Sequence, residues 1–319
     1  MEFRLIDRIR ERTAQPRGDV RLGIGDDAAL LAVPPGQELA VAIDTLVEGV
    51  HFPLSTAPAD VGWKALAVNL SDLAAMGALP AWALLALTLP HADAARVDGV
   101  AEGFAQLARQ HGVALVGGDT TRGPFCLSVA VHGFVPPGQA LTRSGACVGD
   151  AVFVTGTLGD AAGGLRLVQG GRPFDPADES HRSLRARLDR PVPRVRAGLA
   201  LRGLAHACID VSDGLLADLG HVCAASGVGV EVDRGALPLS AALCAVFGEA
   251  DARKFALSGG DDYELCFTVP PAHIAAVQVT LADLGCRATR IGRVVEEQGV
   301  SLAGIGPVPH QRGWDHFPG

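Results

Sequence analysis

Of the 319 residues only two are lysine, Lys64 and Lys254. Neither follows a Gly-x-x-x-x-Gly run, so a Walker-type phosphate loop is excluded. Long apolar runs are missing too. The densest, Ala81 to Leu89, is too short to span a bilayer and is bounded by Pro80 and Pro90. The N-terminal Met-Glu-Phe-Arg-Leu-Ile-Asp-Arg alternates charge where a signal peptide has an unbroken apolar core, so no export signal is expected. No Cys-x-x-Cys pair occurs. The seven cysteines (Cys126, Cys147, Cys208, Cys223, Cys244, Cys266, Cys286) are odd in number and scattered, which reads as reduced thiols in a cytoplasmic protein. Nor is there a basic excess: 27 Lys and Arg against 35 Asp and Glu leave a net charge of −8, with no nucleic-acid footprint.

What is present is an ordinary apolar fraction, 48%, in a chain long enough for two domains. The first half alternates between strand-like and helix-like segments. Residues 39–44 read as a buried strand, and 58–76 as a helix opened by Pro58 and closed by Gly77. Residues 82–89 read as a second strand. The apolar positions 97, 100, 104 and 107 predict an amphipathic helix over 93–111. Strands are expected at 113–116 and 126–135, with Gly-Gly-Asp-Thr-Thr between them. Pro136-Pro137-Gly138 opens a linker over 136–150, which suggests domains of 1–140 and 141–319. The second half begins with a strand at 151–155, the turn Gly156–Gly159 and a helix. A charged, Pro-containing stretch (173–194) follows. Strands at 206–210, 228–232, 264–269 and 288–294 then enclose helices at 213–226 and 271–285.

Aspartate is plentiful and recurs where an apolar strand runs into Asp or Gly-Asp. Asp27, Asp44, Asp119, Asp210 with Asp213, and Asp261 all stand in such a context. Each alone reads as a turn or a cap. Five together, with glycines that leave room beside them, suggest a ligand site. Asp72 shares a helical stripe with Val61, Ala65 and Val68, so its charge lies on or beside a buried face and needs a cation. Only Arg, Lys or a metal can supply that cation. Short hard carboxylates suit Mg²⁺, whereas His or Cys pairs at zinc spacing are absent. Carboxylates filled with Mg²⁺ suit polyphosphate, which points to metal-assisted phosphoryl transfer. The turn Gly156-Thr-Leu-Gly159 could hold phosphate at a helix N-terminus or could simply begin the helix.

The motifs Gly23-Ile-Gly-Asp-Asp-Ala-Ala29, Asp44-Thr-Leu-Val-Glu-Gly-Val-His51, Lys64-Ala-Leu-Ala-Val-Asn-Leu-Ser-Asp72 and Gly117-Gly-Asp-Thr-Thr121 resemble those of the thiamine-monophosphate kinases. So do Arg143-Ser-Gly-Ala, Ile209-Asp-Val-Ser-Asp-Gly-Leu215, Ala256-Leu-Ser-Gly-Gly-Asp-Asp-Tyr-Glu-Leu265 and Trp314-Asp-His-Phe317. The resemblance runs in order along nearly the whole chain. It implies an N-terminal α+β domain that lends strands to a β-barrel across a homodimer, and a C-terminal α/β domain, with ATP and several Mg²⁺ ions in the cleft. It implies transfer of a phosphoryl group from ATP to thiamine monophosphate. By the same resemblance Asp27, Asp44, Asp72, Asp119, Asp210 and Asp213 would hold Mg²⁺. Gly118, Asp119, Arg143 and Ser212 would meet ATP, and His51, Asp261 and Trp314 would face the acceptor. Asp44, Asp72, Asp119, Arg143 and Asp210 would serve the transfer itself.

Two departures stand out. Ala42-Ile43 replaces the Ser/Thr-Thr common before the Asp44 position, and Asp261 stands where Glu is common, one methylene shorter. Read without the resemblance, Arg143 could be a surface residue, His51 a strand-end histidine and Trp314 a packing residue. The rival functions are another ATP-using enzyme of the wider superfamily and an idle nucleotide or thiamine-phosphate sensor. The first is opposed by the lack of any Cys before Cys126 and of a C-terminal Cys, the second by the complete set of aspartates.

Overall fold

The computed structural model describes residues 2–170 and 174–308. It divides into two compact units, Met1–Leu73 with Ala78–Gly138, and Ala74–Gly77 with Gln139–Gly319. Both mix strands with helices, an α+β organisation in two parts.

In chain order the first unit holds α1 (Glu2–Thr13), β1 (Val20–Leu22), β2 (Leu30–Leu31), β3 (Glu38–Val47), α2 (Pro58–Ala75), β4 (Leu79–Leu89), α3 (Ala94–His111), β5 (Ala114–Arg122) and β6 (Cys126–Val135). Proline at the first position of α2 costs no hydrogen bond, because that N–H has no partner within a helix. The start of α3 is fixed by Asp93, whose side chain accepts the Arg96 N–H, and its end by Gly112 in the left-handed region. α2 and α3 touch backbone to backbone: a Cβ on Gly103 would lie 1.7 Å from the Ala59 carbonyl oxygen. Four strands make one sheet in the order β3-β6-β4-β5, in which only β4 and β5 run parallel. Period-two alternation gives this sheet two unlike faces. On one face Leu46, Leu127, Val129, Leu85 and Leu87 are buried, as are Leu66 and Leu70 of α2 and Phe104 and Leu107 of α3. The opposite face is covered in part, where Val20, Ala29 and Leu31 pack against the buried Trp82 and Phe134, and is exposed along β3 at Leu39, Val41 and Ile43.

The second unit holds β7 (Ala151–Thr155), α4 (Asp160–Val168), α5 (Glu179–Asp189), α6 (Val195–Leu201), β8 (Ala207–Asp210), α7 (Leu215–Ser226), β9 (Gly229–Val232), α8 (Ala241–Phe247), α9 (Glu249–Ser258), β10 (Leu265–Val269), α10 (Ile274–Asp283), β11 (Ala288–Val295), β12 (Gly299–Leu302) and β13 (Gly306–Pro307). Its seven-stranded sheet runs β13-β12-β9-β11-β7-β10-β8. Val152, Val154, Ile209, Val230, Ile291 and Val294 join Leu215, Leu219 and Val222 of α7 in one core. A smaller cluster of Leu167, Leu184, Leu243, Val246 and Ala252 ties α4, α5, α8 and α9 together.

The sequence reading assigned no element to α1, β1, β2, α6, α8, α9, β12 or β13, and it parts from the structure elsewhere too. Gly117–Thr121 is not a connection between strands but lies inside β5, because β4 keeps pairing as far as Leu89 with Arg122. The charged stretch before residue 194 contains α5, capped by Asp178 through the N–H groups of Ser180 and His181. The helix expected over 271–285 is a 3₁₀ turn, Pro271–His273, followed by α10.

Candidate functional site

In the first unit the candidate residues are built around α2. All of its residues from 61 to 75 are buried except Asp72, which is half-exposed. Asn69, one turn earlier, is fully buried and accepts the Asp44 N–H at its Oδ1 (3.0 Å), while its Nδ2 donates to the Ala65 carbonyl. Asp44, in the middle of β3, is thereby fixed to the helix that bears Asp72. Lys64 is 1% exposed and its Nζ donates to the His51 carbonyl oxygen at 3.1 Å. His51 Nδ1 accepts the Val47 N–H at 3.0 Å, which closes the turn after β3. The structure therefore ties Asp44, His51 and the Asp72 helix into one frame.

Asp119 is exposed on β5, with its Oδ1 accepting the N–H of Thr120. Gly118 before it has φ 146°, and a Cβ there would sit 1.8 Å from the Leu85 carbonyl oxygen, so only glycine fits. Asp27 is exposed in the turn between β1 and β2, where its N–H meets Asp26 Oδ1. Asp44 and Asp119 stand within strands rather than at strand ends, whereas Asp210 does end β8. Asp27, Asp44, Asp72 and Asp119 do not form a ready-made group of three ligand atoms within 4.8 Å.

In the second unit β8 delivers the buried Asp210 to the loop Val211–Gly214, which enters α7. The segment before β10 runs alongside this loop: Asp261 N–H donates to the Ser212 carbonyl oxygen at 2.8 Å and Tyr263 N–H to that of Val211 at 2.8 Å. Asp210, Ser212, Asp213 and Asp261 thus share one corner. Asp261 (φ 69°) and Tyr263 (φ 50°) adopt left-handed backbone although neither is glycine, and Tyr263 Oη donates to Asp261 Oδ1. Strain of this kind persists only where the surroundings hold it, and it clusters at functional sites.

Asp218, which the sequence reading passed over, organises the same corner. Its Oδ2 accepts the N–H groups of Ser212, Asp213 and Gly214 at 3.0, 3.2 and 3.1 Å. Burial, and then the charges of Asp210 and Asp213, push its carboxyl up to about 7. Negative charge is thus crowded at this corner. Glu264 is another such residue. Fully buried, it accepts from Arg187, Arg194 and Thr155, a set that closes the strand-end segment around Asp261. Both arginines come from the stretch that reads only as charged.

Two expectations need separate comment. The Gly156–Gly159 turn does begin α4, but the Gly159 N–H is taken by Asp262 Oδ2 at 2.7 Å, so an internal carboxylate occupies the place suggested for phosphate. Arg143 is exposed on a loop anchored by Ser226 Oγ to its carbonyl oxygen. Trp314 lies outside the described residues.

Comparison with known proteins follows these motifs. Residues 25–135 match the family "AIR synthase related protein, N-terminal domain" and residues 148–305 its C-terminal counterpart. The thiamine-monophosphate kinase of Escherichia coli K12 is 49% identical over 319 residues, covering 99% of this chain and 98% of that protein. The crystal structure of the thiamine-monophosphate kinase from Stenotrophomonas maltophilia K279a superimposes with a TM-score of 0.89 at 55% identity, over 95% of this chain and 96% of that one. The AaThiL complex with AMPPCP and TMP gives a TM-score of 0.80 at 34% identity, over 99% and 97% of the two chains. With both halves matched, and with likeness of this level running from end to end, the chain belongs to the thiamine-monophosphate kinase family.

Proposed function

We propose that the chain transfers the γ-phosphoryl group of ATP to thiamine monophosphate, giving thiamine diphosphate and ADP. The observation that carries this reading is the full-length likeness to proteins of that activity, among them a structure complexed with an ATP analogue and TMP. The acceptor is already a phosphate oxyanion, so no side chain need remove a proton from it. What remains is to bring two polyanions together in line, a matter of positioning and charge neutralisation.

The donor set fits Mg²⁺: Asp27, Asp44, Asp72 and Asp119 in the first unit, and Asp210 and Asp213 in the second, are hard oxygen ligands without nitrogen or sulfur. The crowding that raises Asp218 is what a divalent cation would relieve. When bound, Mg²⁺ supplies charge neutralisation on the phosphates. Asn69 holds the Asp44 backbone in place. Asp218 presents the Ser212–Gly214 loop in one conformation for ATP, to which Gly118 and Arg143 also contribute. His51, Asp261 and Trp314 meet the acceptor. Gly118 allows the β5 backbone to run close to β4, so the neighbouring Asp119 is displayed on a rigid strand.

We also propose a homodimer, formed through the exposed β3 side of the first unit's sheet as part of a shared barrel. The exposed apolar residues Leu39, Val41 and Ile43 of the edge strand β3 support it. Among the described residues no helix is long and apolar enough to cross a membrane. All seven cysteines are free, in keeping with a cytoplasmic setting.

The test is direct. Purified protein with ATP, Mg²⁺ and thiamine monophosphate should form thiamine diphosphate and ADP in equal amounts. ATP turnover without thiamine diphosphate would return the chain to the other ATP-using enzymes, and binding of both compounds without turnover to a sensor.

A further inference from the structure

We infer that Cys147, Asp150 and His206 form a binding site for a borderline-soft divalent cation of the Zn²⁺ class. None of the three belongs to the aspartates proposed for Mg²⁺. Each offers one ligand atom, and these atoms all lie within 4.8 Å of one another, the one such group among the described residues.

The site is built by the backbone rather than by chance meeting of surface side chains. Asp150 N–H donates to the Cys147 carbonyl oxygen at 3.0 Å, and Cys147 N–H donates to Asp150 Oδ2 at 3.0 Å, so a tight turn fixes the two side chains relative to each other. Asp150 is buried directly before β7, where its carbonyl oxygen accepts the Val294 N–H from β11. His206 stands directly before β8, its N–H donating to the Thr268 carbonyl oxygen of β10 at 2.9 Å. Its Nδ1 is 2.9 Å from Asp150 Oδ2. Residues just before β7 and β8, the two strands that flank β10 in one sheet, thus hold all three ligands. Cys147 is exposed and the His206 side chain is 39% exposed, so a cation reaches them from solvent.

Donor chemistry selects the metal. Mg²⁺ prefers oxygen alone, whereas Zn²⁺ accepts sulfur, nitrogen and oxygen together. Tetrahedral bonds of about 2.0–2.3 Å put ligand atoms roughly 3.3–3.7 Å apart, a spacing these side chains reach by small rotations. Three protein ligands leave the fourth position to water. The Cys147 thiol now donates to the Gly145 carbonyl oxygen at 3.4 Å. On binding it becomes a thiolate and its proton passes to solvent, so affinity rises with pH. The cation would also cross-link the loop that bears Arg143 to the start of β8. A purely structural role for Asp150, closing the turn and orienting His206, makes no such prediction.

The test uses the full-length protein, freed of metal by chelator and titrated with Co²⁺ in excess Mg²⁺. One equivalent should produce a thiolate-to-Co²⁺ charge-transfer absorption together with intense tetrahedral bands, and Zn²⁺ should displace both. Cys147→Ser should abolish the charge-transfer absorption. In equilibrium dialysis Cys147→Ser and His206→Gln should each lower Zn²⁺ affinity by more than the roughly 10–100-fold that loss of an outer partner brings. Zn²⁺ should raise the melting temperature of the wild type but not of Cys147→Ser. Cys147 is exposed, so Cys147→Ser keeps the fold, and circular dichroism verifies this. Absence of a thiolate band, or a band that survives Cys147→Ser, overturns the site.

Discussion

The placement of Asp72 was legible in the sequence, because an acid on an apolar helical stripe lies on or beside a buried face and demands a partner. It is half-exposed on a helix otherwise buried from 61 to 75. Its neighbours were not legible. Nothing in Lys64-Ala-Leu-Ala-Val-Asn69 says that Asn69 holds the Asp44 N–H or that Lys64 reaches the His51 carbonyl, since both bonds join residues distant in sequence. Asp218 was missed for the same reason: its three N–H partners exist only once the loop has turned into α7. If the aspartates serve phosphoryl transfer, Asp72→Asn or Asp119→Asn should lower kcat by at least about a hundredfold while the melting temperature holds or rises, as like charges are removed. Steady-state kinetics at saturating Mg²⁺ decide it, and unchanged turnover removes the residue from the site. Glu264 has the opposite profile. Its loss strands Arg187 and Arg194 in a buried setting, so Glu264→Leu should cost about 3–5 kcal/mol in urea unfolding. A cost below 1 kcal/mol would mean the pair is solvated and interchangeable with apolar packing.

At the scale of elements, periodicity reveals a helix with a one-sided pattern such as α3, and an unbroken apolar run reveals a strand buried on both faces such as β7. It does not reveal pairing. Gly-Gly-Asp-Thr-Thr reads as a connection because two glycines weaken any strand taken alone. Inside the sheet the register of β4 and β5 carries the strand through them to Arg122. α5 hid among charges because its buried stripe is narrow, Leu184 and Leu188 alone being its buried apolar residues. Gly118 makes this concrete. With φ 146° and the Leu85 carbonyl oxygen 1.8 Å from a would-be Cβ, Gly118→Ala must part β4 from β5 locally. The strain alone is about 1–3 kcal/mol and the clash adds to it. Thermal unfolding should show the loss, and activity should fall further than stability because Asp119 moves with the strand. A fully active Ala variant would mean that β5 is not held in this register.

For the whole molecule, two consequences follow from what is buried and what is not. His111 and His132 are both held below the ordinary value of 6.5, by burial in each case. The unfolded chain therefore binds more protons than the folded one in the window just below 6.5, and these residues' contribution to stability is complete above that value and declines as pH falls through it. Melting curves at a series of pH values should show a steeper fall on the acid side of 6.5 for the wild type than for a His111→Gln/His132→Gln variant. Parallel curves would deny the two histidines that role.

The second consequence concerns the exposed β3 side of the four-stranded sheet, beyond the part that Val20, Ala29 and Leu31 cover. Strand register aligns Leu39 with Phe134 and Leu79, and Ile43 with Ala130 and Leu84, so these residues share one face. A sheet face in contact with water ordinarily alternates to polar residues. Here Ile43 is 66% exposed, Val41 59% and Leu79 49%. β3 is also an edge strand, with one row of backbone groups unpaired in the sheet. An apolar face ending in an open edge suits a second copy of itself, because a two-fold interface places the same patch on both partners. Light scattering at micromolar concentration should give twice the chain mass of 32.8 kDa. Ile43→Glu places a charge at the centre of that patch, opposite its own copy or close to it, and should shift the protein to monomer. Ala40→Glu, on the other side of the same strand, would damage the fold instead and so is no control; the exposed Val33→Glu, before β3, should leave the mass unchanged. A wild type that is monomeric at these concentrations, or an Ile43→Glu variant that stays dimeric, would separate the apolar face from any role in assembly.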